Sequence, residues 1–290
     1  MIVRLYGFSR TSPQVTPPHR QLSCPCNTRS TIGGAIPIIC PSQKYSCRRG
    51  KPAAAEQFQE KATYYLHQDV MIGTDYDGGI PKPAITRKLA EFIKPLLDAQ
   101  PYIDSCVIFD EGPNFHIPLN CDLDKFRDLP INHRFGHLPL HYMHLCGVFC
   151  DYAKPWLSVR GADKSKHYKD KIIIGRSTRN YDGSIDYSVL KAYVDAMEFI
   201  GTDEEYEAMR QALPKIKRLK VRDAYEMACL MASAKLYIGN SSFNFAVAEG
   251  LKKNRLFEMN VKSQSLLPCG NVSYFTDTAQ LAARIKTALA

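Results

Sequence analysis

Residues 235–258, KLYIGNSSFNFAVAEGLKKNRLFE, constrain the fold more tightly than any other stretch of this chain. Residues 235–239 read as a short buried strand. Asn240-Ser241-Ser242 follow as a polar turn. An apolar amphipathic run over residues 243–251 reads as a helix, with Gly250 near its end and a basic cluster at Lys252, Lys253 and Arg255. Leu256-Phe257 opens the next apolar run. Strand, turn, helix, strand is one βαβ unit of a parallel sheet. The turn lies at the carboxyl end of a strand and opens a helix. Its backbone N–H groups and the positive end of the helix dipole suit a phosphate or another anion. Asn240, Ser241 and Ser242 can add side-chain hydrogen bonds or simply cap the helix, so a capped start without a ligand stands beside the anion site.

The alternation extends backwards from this unit. Ile172-Ile173-Ile174 within residues 171–175 is the pattern of a strand buried on both faces. Residues 187–195 suggest a helix and 197–201 a strand. Residues 202–213 open with Thr-Asp-Glu-Glu, a cap followed by acids in the first turn. Strand 216–221, helix 224–234, a strand near 256–259 and a last helix 278–289 complete the series. Such a βαβαβ series predicts a doubly wound parallel sheet, with ligands beyond the carboxyl ends of its strands. Neither GxGxxG nor GxxxxGK[ST] is present, so the usual dinucleotide and P-loop readings lack their motif.

The first half is less regular. Strand candidates lie at 62–66 and 107–109, helix candidates at 88–97 and 138–148, and a Gly/Asp/Pro-rich loop at 73–83. Residues 153–170 are polar, hold the single Trp156, and read as an interdomain linker. The expected division is a basic Cys/Pro-rich arm over 1–55, an acceptor-side α/β domain over 56–155 and a donor-side Rossmann-like domain over 156–290. The arm explains the charge. The net charge is +9, but residues 1–55 hold eight Lys/Arg and no acid, leaving 30 basic against 29 acidic residues in the body. A high pI is therefore no argument for nucleic acid. Cys24, Cys26, Cys40 and Cys47 in the arm do not have zinc spacing. With 45% hydrophobic and 23% charged residues the chain reads as soluble and globular. It shows no run long enough to span a membrane and no secretory signal, and a cytoplasmic protein with reduced thiols is expected.

The segments IIIGRSTRNY (172–181), EFIGTDEEYEAM (198–209) and LMASAKLYIGNSSFNFAVAEGLKKNRLFE (230–258) occur in this order over about 120 residues. In order and spacing they resemble the C-terminal domain of GT-B glycosyltransferases. The likeness is to the ADP-heptose:lipopolysaccharide heptosyltransferase family, glycosyltransferase family 9, and its shorter bacterial and phage relatives. YLHQDV (65–70) and PWL (155–157) fit the shorter relatives more loosely. The resemblance implies two Rossmann-like halves, here with an atypical N-terminal one. It also implies a nucleotide-sugar donor in the C-terminal half and a hydroxyl acceptor, such as a saccharide, facing the other half. Ser177 and Thr178 fall where the family places hydroxyls near the donor phosphates. Arg176 and Arg179 share that loop and could neutralise a diphosphate. Gly201 and Thr202 precede Glu205, which, or Glu204, falls near the acid that contacts the nucleoside. Asn240, Ser241 and Ser242 replace the family's Asp-Thr-Gly, and Phe245 stands where a histidine is usual. Glu249 is either a ribose ligand or part of a helix end.

The chemistry implied is an inverting transfer without metal or cofactor. A carboxylate base deprotonates the acceptor hydroxyl as it attacks the anomeric carbon. Fixed positive groups stabilise the departing nucleoside diphosphate. The family's base stands in a Gly-Asp pair of the first loop. Ile32-Gly33-Gly34-Ala35-Ile36 echoes that loop with Gly34 in the acid's place, and Asp122 and Asp124 are the substitutes considered. Two other readings stay open: a non-catalytic nucleotide or nucleotide-sugar binding protein, and an interaction protein working through its basic arm. His133, His137, His141 and His144 would share a helical face, but Pro139 interrupts that helix, so packing and surface imidazoles are expected rather than a metal site.

Overall fold

The computed structural model describes residues 3–6, 62–67, 71–72, 82–83, 85–109, 121–122, 136–146, 151–160, 168–178, 180–261 and 266–289. In its N-terminal half, β1 (Val3–Tyr6) pairs antiparallel with β2 (Ala62–His67). A short ribbon of β3 (Met71–Ile72) and β4 (Lys82–Pro83) follows, with β3 just before the segment expected as a loop and β4 at its end. Helix α1 (Arg87–Asp98) then crosses to β5 (Ile103–Phe109), which lies parallel to β2. β6 (Cys121–Asp122) pairs with β1, giving the order β5-β2-β1-β6. This half therefore holds one βαβ unit in a mixed sheet. Val3–Tyr6 lies inside that sheet, although the expected arm covered it. Four residues are too short for their alternation to stand out.

Thr86 caps α1 by accepting the N–H of Leu89, and Ala90, Ile93 and Leu97 bury a helical stripe. That stripe packs with Tyr64, Leu66, Ile103 and Cys106, while Leu96 of the same helix enters the core of the other half. Helix α2 (Leu138–Cys146) contributes Leu138 and Tyr142. Pro139 does not break this helix. It sits in the first turn, where a missing N–H removes no intrahelical bond.

The segment 151–160 is docked rather than free. The N–H groups of Trp156 and Leu157 both donate to the carbonyl of Gly250, at 2.9 and 3.0 Å. Gln100, only 2% exposed, accepts from Ser158 N and donates to Leu96 O. Tyr102 donates to Trp156 O at 2.7 Å. These bonds tie both halves to the connecting segment, Gly250 from the C-terminal side and Gln100 and Tyr102 from the N-terminal side.

The C-terminal half is a six-stranded sheet in which every pairing is parallel. Its strands are β7 (Ile172–Gly175), β8 (Met197–Phe199), β9 (Lys217–Arg218), β10 (Leu236–Asn240), β11 (Arg255–Glu258) and β12 (Val272–Phe275), in the order β12-β11-β10-β7-β8-β9. The strand period explains the two cores. Ile173, Tyr237 and Phe257 point to one face, covered by α4 (Ala224–Ser233) and α5 (Phe243–Gly250). Ile172, Ile174, Leu236, Ile238 and Leu256 point to the other. That face is covered by a 3-10 helix over Tyr187–Ala196, by α3 (Asp203–Ala212) and by α6 (Thr278–Leu289). The expected strand over 216–221 contracts to Lys217–Arg218 at the sheet edge, while Ile216 and Leu219 drop into opposite cores. β12 had no apolar run to announce it, because it too is an edge strand with three half-buried residues. Among the described residues no helix is long and apolar enough to cross a membrane.

The cap of α3 forms as its sequence predicts. Thr202 Oγ1 accepts from Glu205 N at 3.2 Å and Glu205 Oε2 accepts from Thr202 N at 2.9 Å. Replacing Thr202 by alanine should cost about 1 kcal/mol in urea denaturation, and serine should restore most of it. An alanine variant as stable as the wild type would show that the cap contributes nothing.

Candidate functional site

The chain runs outward from β7 to β8 and β9, then returns to place β10 on the other side of β7. The loops after β7 and β10 therefore leave toward opposite faces. One leads into the 3-10 helix and the other into α5. Such a switch point opens a crevice at the carboxyl edge of a parallel sheet.

Asn240 is the last residue of β10 and fully buried. Its Oδ1 accepts from Ser177 N and its Nδ2 donates to Ser177 O, both at 2.8 Å. The side chain thus replaces a peptide group and adds one more rung between β7 and β10. Asn180 donates to Ser241 O at 3.0 Å, joining the two loops again. Ser242 caps α5 by accepting from Phe245 N at 3.2 Å. Asn244 donates to Ile200 O at 3.1 Å, which brings the Gly201-Thr202 turn after β8 to the same edge. Arg176, Ser177, Thr178, Gly201, Thr202, Glu205, Asn240, Ser241 and Ser242 are thereby placed at one end of one sheet. Close approach explains two glycines here. A Cβ on Gly239 would come within 2.3 Å of Gly175 O, and one on Gly175 within 2.3 Å of the Tyr237 hydroxyl.

Arg176 has a role the sequence did not reveal. Its Nε and Nη2 donate to the two carboxylate oxygens of Glu258 at 2.7 and 3.0 Å. Nη2 also donates to Asp182 O at 2.7 Å. Glu258 ends β11, is 1% exposed, and accepts further bonds from Asp182 N at 2.7 Å and the Tyr187 hydroxyl at 2.8 Å. The guanidinium also lies over the Tyr187 and Tyr181 rings, at 4.3 and 5.1 Å from their centroids. Burial by itself would lower the pKa of Arg176, but its hydrogen bond to Glu258 and the neighbouring charges outweigh burial and raise it. Burial and the Glu258 carboxylate push the Tyr187 phenol well above its usual value. The cation expected to face a diphosphate is therefore already neutralised, and it fixes the loop after β7. Glu258 escaped notice because it ends an apolar strand with no motif around it.

Glu249 lies elsewhere. It sits near the carboxyl end of α5, roughly 10 Å along the helix from its capped start. It is fully buried, with Arg255 Nη2 at 2.8 Å from its Oε2, and it also pairs with Lys252. It belongs to a cluster at the amino end of the sheet with Cys269, Tyr152, Trp156 and His137. Asp122 is in β6, opposite Arg4 in the N-terminal sheet. Asp124, Arg179 and the Gly33-Gly34 loop lie outside the described residues, as does His133. Among the described residues no three His, Cys, Asp or Glu side chains gather in a metal-binding group.

His137 has 6% of its surface exposed and accepts from Leu267 N through Nδ1 at 3.0 Å. Burial first, then the Lys252 charge and His141, lower its pKa to about 4. The unfolded chain binds this proton from about pH 6.5 downward, whereas the native state does so only near 4. Stability should therefore fall as pH drops through that window. By pH 5 the loss should be about 2 kcal/mol beyond that of His137→Asn, whose amide can still accept from Leu267 N. Urea titrations of both proteins at pH 7 and pH 5 check this; parallel pH curves would contradict it.

No family model matches the sequence, and no curated protein matches it significantly. Solved structures do align with it. E. coli ADP-heptose lps heptosyltransferase II aligns at 13% identity and a TM-score of 0.40, over 53% of this chain and 62% of that one. A family 9 glycosyl transferase from Veillonella parvula aligns at 11% identity and a TM-score of 0.44, over 68% and 78% of the two chains. E. coli heptosyltransferase WaaC with ADP-2-deoxy-2-fluoro heptose aligns at 11% and 0.35, over 53% and 55%. The chain thus spans less than two thirds of the first of these proteins.

Proposed function

We propose that this protein binds a nucleotide-sugar donor at the β7/β10 switch point and transfers its sugar to a hydroxyl acceptor on the side of the N-terminal half. The observation that carries this reading is the gathering of hydroxyls, amides and a capped helix start where the two loops diverge. The first turn of α5 offers backbone N–H groups and a positive dipole end to the diphosphate. Thr178 and Ser241 add hydroxyls, and Arg179 is the guanidinium proposed to neutralise the leaving group. Arg176 holds the loop through Glu258. The Gly201–Glu205 turn is proposed to receive the nucleoside. Asp122 and Asp124 are the proposed bases, each able to remove the acceptor proton if within hydrogen-bond reach.

Transfer is tested with a panel of nucleotide sugars and saccharide acceptors, following release of nucleoside diphosphate. Asp122→Asn or Asp124→Asn should reduce turnover about 100-fold or more while sparing donor binding, as expected for loss of a general base. Unchanged turnover in both would exclude these bases. Donor binding with no transfer to any acceptor would favour the non-catalytic nucleotide-sugar binding protein.

A further inference from the structure

We propose that Lys252 and Cys269 form a reversible sulfur–nitrogen cross-link when the protein meets hydrogen peroxide. The pair lies at the amino end of the parallel sheet, away from the β7/β10 crevice. Lys252 follows α5 in a left-handed conformation, with φ of 52°. Its side chain is only 9% exposed. The ammonium stands over the Tyr152 and Trp156 rings, 4.4 and 4.6 Å from their centroids, and pairs with buried Glu249. Within this cage Nζ is 3.6 Å from Cys269 Sγ and 3.4 Å from Cys269 O.

Cys269 is held from several directions. Its thiol donates to Tyr152 O at 3.2 Å, its N–H donates to Glu249 Oε1 at 3.3 Å, and its carbonyl accepts from Arg255 Nη2 at 2.8 Å. The residue is partly exposed, so a small oxidant can reach it, while the amine beside it is screened from solvent. Three further buried donors lie in the same cluster without a hydrogen-bond partner: Arg255 Nε, His137 Nε2 and Trp156 Nε1.

The chemistry balances in two steps. Peroxide transfers one oxygen to the thiol, giving a sulfenic acid and water; sulfur is oxidised and the O–O bond is reduced. Lys252 first passes one ammonium proton to Glu249, and the free amine then attacks sulfur. The S–N bond forms, the S–O bond breaks, and the hydroxide leaves as water with a second proton from the nitrogen. A thiol reductant reverses the link by attack on sulfur. Cys106 offers a contrast within the same chain. It is 2% exposed, which withholds its thiol from an oxidant in solution.

The full-length protein is treated with hydrogen peroxide, digested and mapped by mass spectrometry. The expected product joins the peptides containing Lys252 and Cys269, lacks two hydrogens relative to their sum, and disappears with dithiothreitol. Trypsin should no longer cut after Lys252. Lys252→Arg keeps the charge but supplies no amine. It should give no joined peptide and a several-fold larger fraction of Cys269 labelled by a sulfenic-acid trap, with circular dichroism confirming its fold. The proposal is overturned if the wild-type protein carries Cys269 unmodified, in a disulfide, or as sulfinic or sulfonic acid while Lys252 stays free. The wild-type map decides this even if the variant does not fold.

Discussion

Glu258→Ala should lower the free energy of unfolding by about 3 kcal/mol or more, the largest effect expected from a single polar substitution here. The carboxylate is buried and accepts from Arg176, Asp182 N and Tyr187. Truncation leaves a guanidinium with 15% side-chain exposure facing a cavity, and two further donors unpaired. Glu258→Gln keeps an acceptor and the volume but loses the charge, so its cost should be smaller. If the network positions the loop after β7, both variants should also weaken ligand binding at Ser177 and Thr178. Denaturation in urea gives the first quantity directly. An alanine variant within about 0.5 kcal/mol of the wild type would mean that the pair contributes no more than an ordinary surface contact.

Asn240→Leu should cost about 2–5 kcal/mol, because Ser177 N–H and C=O would both lose their partner in a buried place. Asn240→Asp is the more informative change, since the resembling family carries Asp there. A carboxylate can accept from Ser177 N but cannot donate to Ser177 O. It would set a negative charge against a carbonyl at a fully buried position. The aspartate variant should therefore be less stable than the wild type at neutral pH, and the difference between the two should narrow in mild acid, where a protonated carboxyl can donate again. Urea midpoints at pH 7 and pH 5 measure this. Equal stability of the Asp and Asn proteins at pH 7 would contradict the assigned rung.

The doubly wound half was legible because its signals are local and periodic. Ile172-Ile173-Ile174, the Thr202–Glu205 cap and the Asn240-Ser241-Ser242 turn each announce an element by residue type and spacing. The topology then places three loops at one edge with no further information. The roles of individual polar residues were less legible, since they depend on distant partners. Glu258 is 82 residues from Arg176, and Asn240 is 63 from Ser177. Glu249 carries the same side chain as a ribose ligand would, yet Arg255 and Lys252 hold it at the far end of α5. The N-terminal half was hardest to read. Its sheet joins strands separated by more than fifty residues, and β1, β3, β4 and β6 are too short to show a period.

The central claim, that the β7/β10 crevice holds a nucleotide sugar, is tested most directly by thermal unfolding in a series of nucleoside diphosphates and their sugars. Each is measured for the wild type and for Ser241→Trp, which adds bulk at the turn between β10 and α5. A ligand confined to the folded state adds about 2.7 kcal/mol when present at 100 times its Kd. At least one nucleoside diphosphate or its sugar should raise the wild-type transition and leave Ser241→Trp unmoved. No shift with any of these ligands, or equal shifts in the two proteins, would contradict the claim.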